Sequence, residues 1–157
     1  GKLHNDASYL QPPYRLAGRS SGKPLLVLFE QKDCPPCDEL HLDILKRKES
    51  AALLKRFDVV LLDMWSQTPL QTPAGLDSTA AEWSKQLNIQ YAPSMVLFDE
   101  SGQEVFRREA YLKAFHTQGS MEYVLSGAYR TQPNFQRYLQ GRVAELEAQG
   151  IHVDLME

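Results

Sequence analysis

The sequence predicts an α/β domain, a central mixed sheet flanked by helices. Three observations lead there. Two near-continuous apolar runs, Leu25–Glu30 and residues 57–63, flank a stretch of helical spacing, which is the order of a β-α-β unit with a parallel pair. A third run, Met95 to Phe98, is followed by Asp99-Glu100-Ser101-Gly102-Gln103 and an alternating segment, residues 104–108. That is the pattern of an antiparallel hairpin, with Gly102 free to take positive φ. The remaining apolar residues recur every three or four positions, as in helices that cover a sheet.

The chain has 157 residues, one domain's worth and enough for a sizeable core. Net charge is −3 with no basic stripe, which argues against a nucleic-acid partner. No apolar run approaches the roughly 20 residues of a membrane helix, so the chain is not expected to be membrane-embedded. A monomer is expected.

Taken in order, residues 1–12 are polar, without a clear period, and read as a loose arm. Pro12-Pro13 is expected to open a short helix through Tyr14, Leu16 and Ala17, because proline is tolerated in a first turn. Residues 20–24 form a break, and Leu25–Glu30 a central strand buried on both faces. After Cys34-Pro35-Pro36-Cys37, the spacing of Leu40, Ile44 and Leu45 predicts a helix to about Leu45. A second helix is expected over 51–56 with Ser50 as N-cap, then the strand at 57–63.

Residues 64–76, with Pro69, Pro73 and Gly75, read as an irregular insertion. Asp77 or Ser78 is expected to cap a helix through Ala81, Trp83 and Leu87. A loop at 88–93 leads to the hairpin. A helix is expected over 112–127, with Met121, Val124, Leu125 and Ala128 on its buried side. Another follows at about 134–149, where Phe135, Tyr138, Leu139, Val143 and Leu146 form a stripe ended by Gly150. The expected organisation is an arm and short helix at 1–22, a domain at 23–128 with an insertion at 64–77, and a helical extension at 129–157 packed on it.

The chemistry concentrates in Cys34-Pro35-Pro36-Cys37, the only two cysteines in the chain. A thiol attacks a disulfide as its thiolate, and a helix N-terminus favours an anion. Cys34 is placed there as nucleophile, with Cys37 one turn in as resolving thiol. Pro35 and Pro36 stiffen the turn and remove two backbone donors. A structural staple fits poorly, since so short a loop restrains the unfolded chain little. A metal site fits poorly too. His41 follows Cys37 by one turn, but there is no second Cys-x-x-Cys, and His4, His116 and His152 lack metal spacing. Haem attachment needs a histidine where Asp38 stands. His41 reads as a partly exposed helix residue that tunes the site by charge.

The order strand, Cys34-Pro35-Pro36-Cys37, helix, strand, helix, then Ile89-Gln90-Tyr91-Ala92-Pro93-Ser94 opening a strand and the Gly102 hairpin resembles the thioredoxin superfamily. It implies a thioredoxin-like three-layer fold with an inserted loop and an extra C-terminal helix. It also implies a cis-proline at Pro93, which would present the Ala92 backbone to an extended substrate, with Tyr91 beside it. Phe29-Glu30-Gln31, Asp63-Met64-Trp65, Phe98 to Gly102, Tyr111 to His116, Tyr123 to Tyr129 and Phe135-Gln136 are most similar to the periplasmic sulfur-oxidation (SoxW-like) thioredoxins.

That resemblance implies export to the periplasm, with any signal peptide removed. It implies thiol–disulfide exchange with disulfide-bearing protein partners, and reductant activity replenished by a membrane thiol-relay protein. No bound cofactor is needed, because the electrons reside on the cysteines. An oxidase or isomerase is the alternative within enzymes, and a peptide-binding or chaperone module the alternative outside them. Two departures matter. The buried aspartate usual six residues before the first cysteine is Leu28, which moves the acid/base role to Glu30 on the same strand face. The usual tryptophan before Cys34 is Asp33, an acidic neighbour that opposes thiolate formation. Trp65 and Trp83 are expected to pack on the core or cover the insertion.

Overall fold

The computed structural model describes residues 2–109 and 113–156. In chain order its elements are β1 (Tyr14–Arg15), β2 (Leu25–Glu30), α1 (Pro35–Leu42), α2 (Lys48–Leu54), β3 (Asp58–Asp63), β4 (Pro69–Gln71), β5 (Asp77–Thr79), α3 (Ala80–Gln86), β6 (Ser94–Phe98), β7 (Glu104–Glu109), α4 (Ala114–Leu125) and α5 (Phe135–Ala148). The main sheet runs β3-β2-β6-β7. β2 pairs in parallel with β3, from Leu25 opposite Asp58 to Glu30 opposite Asp63, and antiparallel with β6. A central strand covered on both faces needs apolar side chains in both directions, and every residue of β2 is buried.

Alternation along β2 separates two cores. Leu26 and Leu28 face one with Leu40, Leu53, Met121 and Val124 from α1, α2 and α4. Leu25, Val27 and Phe29 face the other with Leu16, Leu70 and Trp83. The Phe29 and Trp83 rings meet edge-on at 5.4 Å. Helices therefore cover one face. α3 and a small second sheet cover the other.

That second sheet corrects two expectations. Residues 12–17 form no helix; Tyr14–Arg15 is β1, parallel to β4. The residue before a proline is biased to extended backbone, so Pro12-Pro13 starts a strand rather than a turn of helix. The insertion at 64–77 is not irregular throughout, because β4 pairs with both β1 and β5 in the order β1-β4-β5. Three-residue strands are too short for alternation to show in sequence. Gly102 packs against this insertion. Its φ is +92°, and a Cβ there would lie 3.0 Å from Pro73 O, so both turn and contact demand glycine.

The arm, over the described residues 2–12, is not loose. Tyr9 is buried, Leu3 and Leu10 pack against the two cores, and Leu10 N–H donates to Val59 O at 2.8 Å. Three scattered apolar residues carry no period but suffice to dock a short segment. Helix α1 stops at Leu42, followed by a tight turn at Ile44–Lys46. α2 starts at Lys48, not after Ser50. Ser50 is buried inside it and accepts from Gln118 Nε2 of α4 at 3.0 Å. The cap of α3 is Thr79, whose Oγ1 accepts from Glu82 N–H. The expected start of the following helix at Leu112, and Tyr111, lie outside the described residues.

Asn134 caps α5 through its side chain. Phe115, Tyr123, Phe135 and Leu139 then form a third core between α4 and α5, joined by Phe106 of β7. Gly119 lets the helices approach closely, since a Cβ there would sit 2.6 Å from Leu139 Cδ2. The Phe135 ring meets the Phe106 ring at a tilt, centroids 4.6 Å apart, and the Tyr123 ring edge-on at 5.2 Å. Phe135→Ala is therefore expected to cost about 3–5 kcal/mol in urea unfolding, the loss typical of a buried phenylalanine. A cost below about 1 kcal/mol would show instead that α5 is a detachable appendage.

Candidate active site

β2 and α1 are joined by a short loop that sets the cysteines. Asp33 reverses the chain at φ +53°, a left-handed conformation that Asp tolerates better than most residues. Cys34 then serves as N-cap of α1, with Pro35 and Pro36 in its first two positions. Those prolines have no N–H, so the first donor the helix offers is Cys37 N–H, which donates to Cys34 Sγ at 3.2 Å. Cys34 and Cys37 are joined by a disulfide with Cα atoms 5.2 Å apart. Cys34 is 5% exposed and Cys37 1%, so the first sulfur is the one nearer the surface. Pro35 is exposed and Pro36 half-buried beside them.

The opposite wall comes from the loop before β6. The Ala92–Pro93 peptide bond is cis, and Ala92 O lies 3.8 Å from Cys34 Sγ. Pro93 is buried, Ala92 half-buried and Tyr91 exposed. Ser94 Oγ donates to Tyr91 O at 2.6 Å and holds the loop in place. The structure thus brings Cys34, Cys37, Pro35, Pro36, Ala92 and Pro93 together, with Tyr91 at the rim. Trp83 lies in the core, but Trp65 does not. It is 68% exposed, and its indole N–H donates to Gln31 Oε1 at 2.8 Å, three residues before Cys34. A polar anchor in the cysteine loop holds this ring outside any apolar contact cluster.

Beneath the cysteines the structure corrects the reading of His41. It is buried, not partly exposed, and its Nε2 lies 2.6 Å from Glu30 Oε2. Glu30 is fully buried on the Leu28 face of β2, under α1. Its second oxygen, Oε1, has no hydrogen-bond partner among the described residues. Burying a carboxylate is costly without a charged or donating partner, and His41 supplies one. His41 lies one helical turn from Cys37, on the same side of α1.

His4, from the arm, stacks on the His41 ring with centroids 4.9 Å apart, and its Nε2 lies 2.6 Å from Asp38 Oδ1. Sequence reasoning placed Glu30 on the right face but missed its partner. The available signal was the four-residue step from Cys37 to His41. His4, in an aperiodic arm, left none. The Tyr9 hydroxyl nearby is pushed up to about 12, first by burial and then by the negative charges of Asp6 and Glu30. Among the described residues no group of three or more His, Cys, Asp or Glu side chains forms a metal site. Nor is any helix among them long and apolar enough to cross a membrane.

Residues 17–125 match the model of a family described as a thioredoxin-like domain. No curated protein matches the chain. Among solved structures, a thioredoxin-fold protein from Helicobacter pylori superposes with a TM-score of 0.69 at 16% identity, covering 78% of this chain and 86% of that one. A thioredoxin from Thermus thermophilus gives a TM-score of 0.55 at 18% identity, covering 76% and 92%. At such identities these likenesses concern the fold.

Proposed function

We propose that this chain, which belongs to the thioredoxin-like domain family, is a thiol–disulfide oxidoreductase that reduces disulfides of protein partners through Cys34 and Cys37. The observation that carries the reading is the disulfide at the N-terminus of α1, with Cys34 Sγ 3.8 Å from Ala92 O of the cis Ala92–Pro93 bond. In the dithiol form, Cys34 as thiolate accepts the Cys37 N–H and the favourable end of the α1 dipole. It attacks one sulfur of the partner disulfide, forming a mixed disulfide and releasing the other partner sulfur as thiolate. Cys37, deprotonated, attacks Cys34 Sγ. The Cys34–Cys37 bond forms, the bond to the partner breaks, and two electrons have moved to the partner. The Ala92 backbone and the exposed Tyr91 and Pro35 offer the partner's extended chain a surface beside the reacting sulfur.

The likeness of the segments around Glu30, Trp65 and the Gly102 turn to the sulfur-oxidation group supports a periplasmic reductant. A membrane thiol-relay protein would restore its dithiol. Reduction of a disulfide-bonded protein such as insulin, with dithiothreitol as electron source, tests the activity. Equilibration with glutathione tests the direction. A reductant should poise near the thioredoxin value of about −270 mV, whereas a value near −120 mV would assign an oxidase. Peptide binding without turnover would leave a binding module.

A further inference from the structure

The cysteines and the cis-proline lie within residues 17–125, the part shared with the family. The arm ahead of it reaches the same helix. His4 Nε2 lies 2.6 Å from Asp38 Oδ1, and the His4 ring stacks on that of His41, centroids 4.9 Å apart and planes 14° apart. An ionised carboxylate only accepts, so His4 Nε2 carries the hydrogen of this bond. The arm holds the ring there from both sides. Leu3 packs on the first core, Asn5 Nδ2 donates to Gln11 Oε1 at 3.1 Å, and the Ser8 N–H and hydroxyl both donate to Asp6 Oδ1.

Asp38 stands close to the chemistry. Its N–H donates to Cys34 O at 3.0 Å, the bond that closes the first turn of α1. Cys34, Asp38 and His41 follow at steps of four and three, so they share one ridge of the helix, where neighbouring Cβ atoms stand roughly 5–6 Å apart. A negative charge one turn from a sulfur disfavours its thiolate. In a water-like dielectric, a unit charge about 6 Å away lowers the thiolate population about threefold. A protonated imidazole bonded to that carboxylate cancels most of its field.

We propose that His4 is a positioning residue for thiol–disulfide exchange, which neutralises Asp38 and so keeps Cys34 reactive as a thiolate. The inference rests on the oxidoreductase reading and deepens its first step, the attack by Cys34. His4 acts through Asp38 and not on the sulfur. The charged and titratable groups that face His4 are Asp38 and His41 from α1, Glu30 of β2 behind His41, Asp6 and Tyr9 from the arm, and Lys46 after α1.

Alkylation by iodoacetamide at pH 6, where imidazoles are mostly charged, reads the thiolate population. The Cys37→Ser background leaves Cys34 alone to react. At 10 mM ionic strength, where the Debye length is about 30 Å, His4→Gln should slow alkylation about two- to threefold. His4→Gln combined with Asp38→Asn should return to within about 1.5-fold of the background rate, although the arm has lost the same contact. That recovery separates a charge from a merely structural role. In 1 M KCl, with a Debye length of about 3 Å, the slowing in His4→Gln should disappear. A low-salt rate in His4→Gln within about 1.5-fold of background overturns the proposal. A double variant as slow as His4→Gln overturns it too, as does a slowing that 1 M KCl leaves unchanged. His4→Asn takes the same place, with the same outcomes, should His4→Gln fail to fold. Failure of the wild-type protein to reduce insulin defeats the oxidoreductase reading but leaves these alkylation rates measurable, so the two failures are distinct.

Discussion

Cys34→Ser is expected to lower insulin reduction by at least about three orders of magnitude, because it removes the more exposed thiol, the one assigned to form the mixed disulfide. Cys37→Ser should behave differently. It leaves Cys34 beside the Cys37-position N–H, so attack on a partner disulfide still occurs, but nothing resolves the adduct. A stable mixed disulfide should accumulate and be visible by mass spectrometry, cleaved by added thiol. Cys34 is 5% exposed and Cys37 1%, which is the asymmetry behind this assignment. If Cys34→Ser captures the partner and Cys37→Ser does not, the two roles are exchanged.

The second large effect concerns stability. Replacing His41 with leucine should cost the oxidised protein about 3–5 kcal/mol in urea unfolding at neutral pH, the loss typical when one partner of a buried ionic pair is deleted. The cost falls on Glu30. It has no exposed surface, its Oε2 loses the bond to His41, and its Oε1 has no partner among the described residues to compensate. Glu30→Leu combined with His41→Leu should recover most of the loss, since two apolar side chains of similar reach leave no buried charge. The coupling from this double-mutant cycle measures the pair. A single-variant cost below about 1 kcal/mol would mean that Glu30 does not depend on His41.

The legible parts of the chain were those where one physical rule dominates over several residues. β2 is buried on both faces and therefore continuously apolar, and the long apolar stripe of α5 survives in the third core. The cysteine motif was legible because its position between a strand and a helix is itself the chemistry. Short elements were not. β1 has two residues and β4 and β5 three, below the length at which a period appears. Ser50 illustrates a second limit. Its residue type favours a cap, but burial against Gln118 of α4 placed it inside α2, a tertiary contact overriding local preference. Glu30 and His41 were each visible, but their pairing is a contact across eleven residues that spacing alone does not report.

The arm also covers part of an edge of the main sheet. β3 is an outer strand of the main sheet, and an outer strand with free backbone groups is a template on which a second chain can pair. Leu10 N–H occupies Val59 O on that strand, and Tyr9 is buried against the core beside it. The segment that stacks on His41 therefore also occupies a backbone acceptor of this edge that a second chain would otherwise need for pairing.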